Sequence, residues 1–273
     1  MKKTFTLILS TVTAFSFAQN SKNIVLTKGQ EIEVSTTSSS QSELSMGMTM
    51  NNNTATTSKL VVVDEDQESY TLTSTLTKMK LSMEGMGQNS EYDSEKAEDK
   101  DSEIGKAMGD KLNKSTTYQL NKATGKITAA KGNESDDKSG GMMGMEMGSD
   151  AGSGTGDAFL IITSDKNVGD SWSETVTSNG LTTKKNYKIL SIQNDIANVE
   201  LKGTITGTTE QEMQGNSIKM KTDAKLDGKI TSNIKTGLVY MMKMDADING
   251  TVEAMGQEMP VTSKTTTTVL YNQ

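Results

Sequence analysis

A run of period-two alternation constrains this chain more than any other feature. From Leu238 onward the even positions Tyr240, Met242, Met244, Ala246, Ile248, Gly250, Val252 and Ala254 are apolar or small, and Lys243, Asp245, Asp247, Asn249, Thr251 and Glu253 stand between them. Successive side chains of an extended strand point to opposite faces, so such a pattern describes one strand with a buried and a wet face. The odd positions Met259, Val261, Val269 and Tyr271 continue it as a return strand. Likewise Val199, Leu201, Gly203 and Ile205 lead to a return through Ile218, Met220, Ala224 and Leu226, with Lys219, Lys221, Asp223 and Lys225 toward solvent. Tyr70, Leu72 and Leu76 begin a strand whose parity slips before Met79, Leu81 and Met83; a bulge near Lys78 absorbs the extra residue. Leu44, Met46, Met48, Met50, Leu60 and Val62 share even parity across a Thr/Asn-rich middle. Strands of about fifteen residues, against a typical five or six, must twist and coil.

Three similar stretches separate these segments: Glu84-Gly85-Met86-Gly87-Gln88, Glu212-Met213-Gln214-Gly215-Asn216 and Glu253-Ala254-Met255-Gly256-Gln257. Each reads as a hairpin tip, where Gly87, Gly215 or Gly256 supplies backbone angles that other residues resist. Asn249-Gly250 would ordinarily mark a turn, but the parity passes through it, which predicts a bulge or close contact inside a strand.

Similarity at longer range predicts duplication. Lys28-Gly29-Gln30-Glu31-Ile32 matches Val168-Gly169-Asp170-Ser171-Trp172, and Asn121-Lys122-Ala123-Thr124-Gly125 matches Asn233-Ile234-Lys235-Thr236-Gly237. The first half carries an insertion, where Ile104, Ala107, Met108 and Leu112 fall at helical spacing, so a short amphipathic helix near 94–112 packs on the sheet. The expected fold is all-β: long antiparallel, strongly coiled strands in two diverged repeats, as a sandwich or open barrel, with that one helix. Residues 1–18 read as a signal peptide, 19–131 as the first repeat, 132–157 as a flexible Gly/Ser/Asp/Met-rich loop and 158–273 as the second repeat.

The leader reading rests on Met1-Lys2-Lys3, the apolar run Phe5 to Phe17 and the small residues before Gln19. It places the chain in the periplasm or outside the cell. With no cysteine the chain is neither a lipoprotein nor disulfide-bonded. Cleavage after Ala18 removes Lys2 and Lys3 and takes the net charge from −7 to −9, which argues against nucleic acid as a partner and leaves no membrane span.

His, Cys and Arg are all absent. Their absence excludes Ser/His/Asp and Cys/His catalysis, His- or thiolate-ligated metals and bidentate Arg clamps. No catalytic residue, no cofactor and no enzymatic activity is expected. Soft thioethers remain: Met46-Gly47-Met48-Thr49-Met50, and Met142, Met143, Met145 and Met147. Such sulfurs select Cu(I) or Ag(I). Alternation assigns Met46, Met48, Met50, Met242 and Met244 to the core instead, leaving Met142, Met143, Met145 and Met147 as the candidate metal ligands. Trp172, the one tryptophan, reads as a buried anchor at a strand opening rather than a sugar platform.

The order of Lys28 to Gln30, the long hairpin, the helix near Ile104, Ala123-Thr124-Gly125-Lys126-Ile127, Val168-Gly169-Asp170-Ser171-Trp172 and Thr236-Gly237-Leu238 resembles a family of exported bacterial proteins of unknown function. The resemblance covers nearly the whole mature chain. It implies an exported all-β protein and brings no catalytic residues. Function then reads as a non-catalytic binding or structural role, with a hydrophobic ligand or partner on a concave sheet: a lipid-like molecule or a cell-envelope protein. The alternative is soft-metal binding through the Met-rich loop.

Overall fold

The structure, a computed structural model, describes residues 23–44, 47–85, 87–109, 111–130, 156–163, 165–213, 216–254 and 257–272. The expected signal peptide, Met46, Met142, Met143, Met145, Met147, Gly215 and Gly256 lie outside the described residues, as does most of the loop at 132–157.

Twelve strands form one antiparallel sheet: β1 (Glu31–Leu44), β2 (Met48–Glu65), β3 (Ser69–Gly85), β4 (Gln88–Asp93), β5 (Ser115–Asn121), β6 (Ile127–Ala129), β7 (Ser171–Ser178), β8 (Leu181–Gln193), β9 (Ile196–Met213), β10 (Asn216–Asn233), β11 (Val239–Ala254) and β12 (Gln257–Asn272). Eleven of them run in the order β6-β5-β3-β2-β1-β12-β11-β10-β9-β8-β7, with β4 pairing β3 alongside β5, so the last strand joins the two halves. The sheet is not closed. One helix, α1 (Glu103–Gly109), follows a short 3₁₀ turn at Glu98–Asp101.

The sheet curls back on itself. Six strand steps separate β5 from β10, about 29 Å if the sheet lay flat. Yet the Ile24 amide donates to the Lys122 carbonyl after β5 at 2.7 Å, and the adjacent Val25 amide donates to the Thr236 carbonyl after β10 at 3.0 Å. Inside this curl run two extended segments, 23–27 and 158–163, whose Ile24, Leu26, Ala158, Phe159, Leu160 and Ile162 join the buried core. That core is a single cluster with residues from both halves, at the end of the sheet where β1 and β11 begin and β2 and β12 finish. Full burial of each such side chain contributes about 1.5–3 kcal/mol, so this base anchors the fold.

Matched turns occur in the two halves. Gly29 and Gly169 both have positive φ, 83° and 97°. In the first, the Thr27 amide donates to the Gln30 side chain and the Val62 amide to the Gln30 carbonyl; in the second, Asn167 and Ile189 make the same bonds to Asp170. At the later pair, Asn121 and Asn233 each accept two backbone amides on their side-chain oxygens. Gly125 and Gly237 follow at φ 69° and 72°. The same turn geometries thus occur at matching places in the two halves of the chain.

Several details refine the expected pattern. The bulge in β3 falls on Thr77, between the pairs Thr57–Lys78 and Ser58–Leu76. β11 runs through Asn249-Gly250 without a register shift; a side chain at Gly250 would meet the Lys221 carbonyl, so close approach is the reason for the glycine. Between Leu44 and Met48 the chain reverses, and these two residues pair. The return from Gly85 is only the six-residue β4, because the insertion takes the chain off the sheet. Within α1, Ile104 and Met108 are half-buried and Ala107 is exposed. The helix seats against the 3₁₀ turn, where Gly105 lies close to the Asp99 and Lys100 carbonyls.

Candidate binding face

Strand register turns the alternating sequence into rows across the inner face. One row reads Ile189, Val199, Ile230, Met242, Val269, Thr36, Thr56, Met79. Moving away from the base, the next reads Tyr187, Leu201, Gly228, Met244, Thr267, Ser38, Thr54, Leu81, and the next Lys185, Gly203, Leu226, Ala246, Thr265, Ser40, Asn52, Met83. A further row carries Ile205, Ala224, Ile248, Ser263, Ser42 and Met50.

Three zones follow from these rows. On β9, β10 and β11 the inward positions are apolar or small out to Val252 except for Thr209 and Thr222, and Met244, Ala246, Ile248, Val252, Ile205, Ile218 and Met220 are half-buried. On β12, β1 and β2 they become Ser, Thr and Asn, forming a hydroxyl stripe between apolar flanks. On β3 they return to Met79, Leu81 and Met83. From β3 through β12 to β9, the inward positions in the described residues are uncharged apart from Glu65, which pairs with Tyr70 at the base and is tied to Lys122 at 2.7 Å. The opposite face of the same strands carries Lys202, Lys219, Lys221, Asp223, Lys225, Asp227, Lys229, Lys243, Asp245 and Asp247.

Among the described residues charge reaches the inner face at two places: at the base, where the Lys122 ammonium lies 4.4 Å from the centre of the Tyr70 ring and pairs with Glu65 at 2.7 Å, and at the β7–β8 edge. Lys185 pairs with Asp157 at 2.9 Å, and the Tyr187 hydroxyl donates to Glu174 at 3.3 Å. Burial pushes the Tyr187 phenol far above its ordinary value of 10.0, with Glu174 and Asp157 adding to the effect. Burial does the same for Tyr271, again with Asp157. Trp172 is half-buried rather than buried, since β7 is an edge strand. Its ring stacks on Tyr187 at 5.1 Å and 17°, with the Lys166 ammonium 5.2 Å above it.

An open groove of about 500 Å³ is lined mostly by outward positions: Thr37 and Ser39, Asn53 and Ala55, Lys80 and Ser82, Thr266 and Thr268. Its Lys80 is tied to Asp93 at 3.0 Å, Lys96 lines it beside Glu91, Asp93 and Asp99, and its polar rows are open to solvent. The apolar surface that β9, β10 and β11 present on the inner face is the better-built site.

The four candidate metal ligands, Met142, Met143, Met145 and Met147, lie outside the described residues. Met242 is buried as the alternation predicts; Met50 is half-buried, and Met48 points inward yet is exposed because it sits at the tip. Among the described residues no cluster of three or more His, Cys, Asp or Glu side chains could hold a metal. The hydroxyl stripe went unread in the sequence although its signal was there: Thr36, Ser38, Ser40 and Ser42 occupy the parity of Ile32 and Val34.

A sequence profile described as a family of unknown function (DUF6263) matches residues 67–239. No curated protein matches the chain. Among solved structures, one of lipovitellin, concerned with its lipid–protein interactions, is 11% identical with a TM-score of 0.51, covering 90% of this chain and 25% of that one. The chain thus spans about a quarter of lipovitellin's length. An outer-membrane channel from Pseudomonas putida F1 is 8% identical with a TM-score of 0.28, covering 91% of this chain and 97% of that one. The lipovitellin likeness shows the fold. Among the described residues no helix is long and apolar enough to cross a membrane.

Proposed function

The chain belongs to DUF6263, a family of unknown function, and we propose that it is a non-catalytic, periplasmic or secreted binding protein that holds a hydrophobic ligand on its concave inner face. The observation that carries this reading is the continuation of apolar inward positions beyond the filled base. Met244, Ala246 and Ile248 extend Met242 toward the tips, where the residues become half-buried and stay uncharged. A sheet that needed only to stay folded would gain nothing from apolar side chains where no packing layer meets them, since surface of that kind marks ligand or partner sites. Lipovitellin, whose printed description concerns lipid–protein interactions, supports the same choice of ligand. The acidic exterior suits a carrier that stays dispersed outside the cytoplasm.

N-phenyl-1-naphthylamine, whose fluorescence rises in apolar surroundings, tests this. Saturable binding by the purified chain is expected. Ile248→Lys should weaken it by about tenfold or more, because a buried ammonium loses hydration it cannot replace. Thr251→Lys, on the opposite face of the same strand, should leave it unchanged. Equal effects of the two variants, with both folded by circular dichroism, would end the proposal.

A further inference from the structure

We propose that the inner face selects an uncharged amphiphile: an acyl chain lying along β9–β11, with a hydroxyl- or ester-bearing head on the stripe formed by β12, β1 and β2. This inference rests on the binding reading above and names its ligand class.

The stripe sits between two apolar zones, so its polarity is not that of a solvent-facing edge. Part of it is satisfied internally: the Ser38 and Thr267 hydroxyls lie 3.3 Å apart and Ser42 donates to Ser263 at 2.9 Å. The Thr36 hydroxyl is different. Its residue is 3% exposed, it points inward in the row of Val269 and Thr56, and its Oγ1 has no partner. The Thr265 Oγ1, two rows along, is likewise buried without one. A buried hydroxyl without a hydrogen bond is costly, and Val would fill the same space without that cost. A ligand head that accepts from or donates to these oxygens removes the penalty, and a hydroxyl can do either.

The absence of charge beside the stripe sets the class; the inward Glu65 and Lys122 at the base neutralise each other. A carboxylate or phosphate brought onto the stripe would lose hydration with no cation to replace it. The inward Lys185 belongs to the β8 edge, four strand steps from β12, and Asp157 already neutralises it. Glycerol mono- or diesters and other uncharged acyl lipids fit; free fatty acids and phospholipids do not.

The test is displacement of bound 1,6-diphenylhexatriene, a hydrocarbon probe, by 1-monooleoylglycerol and by oleate at a pH where oleate is ionised. Monooleoylglycerol should displace it at a concentration about tenfold lower or more. Thr36→Val combined with Thr265→Val should weaken monooleoylglycerol by roughly three- to tenfold per hydrogen bond lost, leave diphenylhexatriene affinity unchanged, and be reversed at position 36 by Thr36→Ser. Unchanged diphenylhexatriene binding also shows that the variants are folded. Oleate competing as well as monooleoylglycerol, or the valine variants binding it normally, would overturn this inference while leaving the binding reading intact. No binding of diphenylhexatriene by the unmodified chain would overturn both.

Discussion

Two matched glycines offer a stringent test of how the base is built. Gly125 and Gly237 have nearly the same positive φ, 69° and 72°, so alanine at either should cost about 1–2 kcal/mol in backbone strain. Their surroundings differ. A Cβ at Gly125 would sit 3.7 Å from Ile161, Ile24 and Phe159, ordinary contact with no added cost. A Cβ at Gly237 would collide with Cδ1 of Ile24, and Ile24 is 1% exposed and bonded through its amide to Lys122, so it cannot swing away. Overpacking of this kind adds about 1–3 kcal/mol. Gly237→Ala should therefore cost roughly 2–5 kcal/mol and Gly125→Ala roughly 1–2. Ile24→Val removes the colliding methyl; alone it should cost about 0.5–1.5 kcal/mol, but in the Gly237→Ala background it should restore stability. Urea unfolding of the four chains closes the cycle. Equal costs for the two alanines, or additive effects of Ile24→Val and Gly237→Ala, would refute the claim that segment 23–27 is clamped against the second-half turn.

Other outcomes follow from the same structure. Tyr187 and Tyr271 hold their protons to a higher pH folded than unfolded, where the ordinary value is 10.0; their contribution to stability should be constant below that pH and fall as pH rises beyond it, because the folded chain binds more protons. Urea midpoints measured across this range check it, Tyr187→Phe should shrink the fall, and a flat profile would count against burial of these phenols. Trp172→Ala should cost about 1.5–3 kcal/mol, less than a fully buried tryptophan, since the residue is only partly buried at the edge of the sheet; thermal unfolding reads this, and a cost above that range would mean a deeper anchor. Thr36→Val should raise the stability of the ligand-free chain by about 1–3 kcal/mol by removing a buried unpaired hydroxyl. Loss of stability on that change would show the hydroxyl to be satisfied.

Much of the fold was legible because period-two alternation is physically tied to strand faces. β9 to β12, the bulge at Thr77 and the close approach at Gly250 could all be read from which positions were apolar. The reversal after β1 was missed although Met46-Gly47 repeats the Met-Gly of the other tips. Even parity happens to persist across it, since the pair Leu44–Met48 preserves the face. Gly47, at φ 70°, was the available signal. Burial of Trp172 was overestimated because nothing in a single strand tells whether it lies at a sheet's edge. The curl was foreseen only as a tendency of long strands; its closure depends on Ile24 and Val25 bridging turns distant in sequence, which no local pattern encodes. The inner face was legible strand by strand. Its hydroxyl stripe emerges only when register aligns Thr36, Ser38 and Ser40 with Thr267, Thr265 and Asn52.

The central claim is that the inner face holds a hydrophobic ligand, and mass spectrometry of an organic extract of the protein purified from its native cells tests it most directly. A defined acyl lipid in near-stoichiometric amount, depleted in the Ile248→Lys variant and retained in Thr251→Lys, is the predicted result. An extract free of lipid, or one whose lipid is equally present in both variants, would contradict the account.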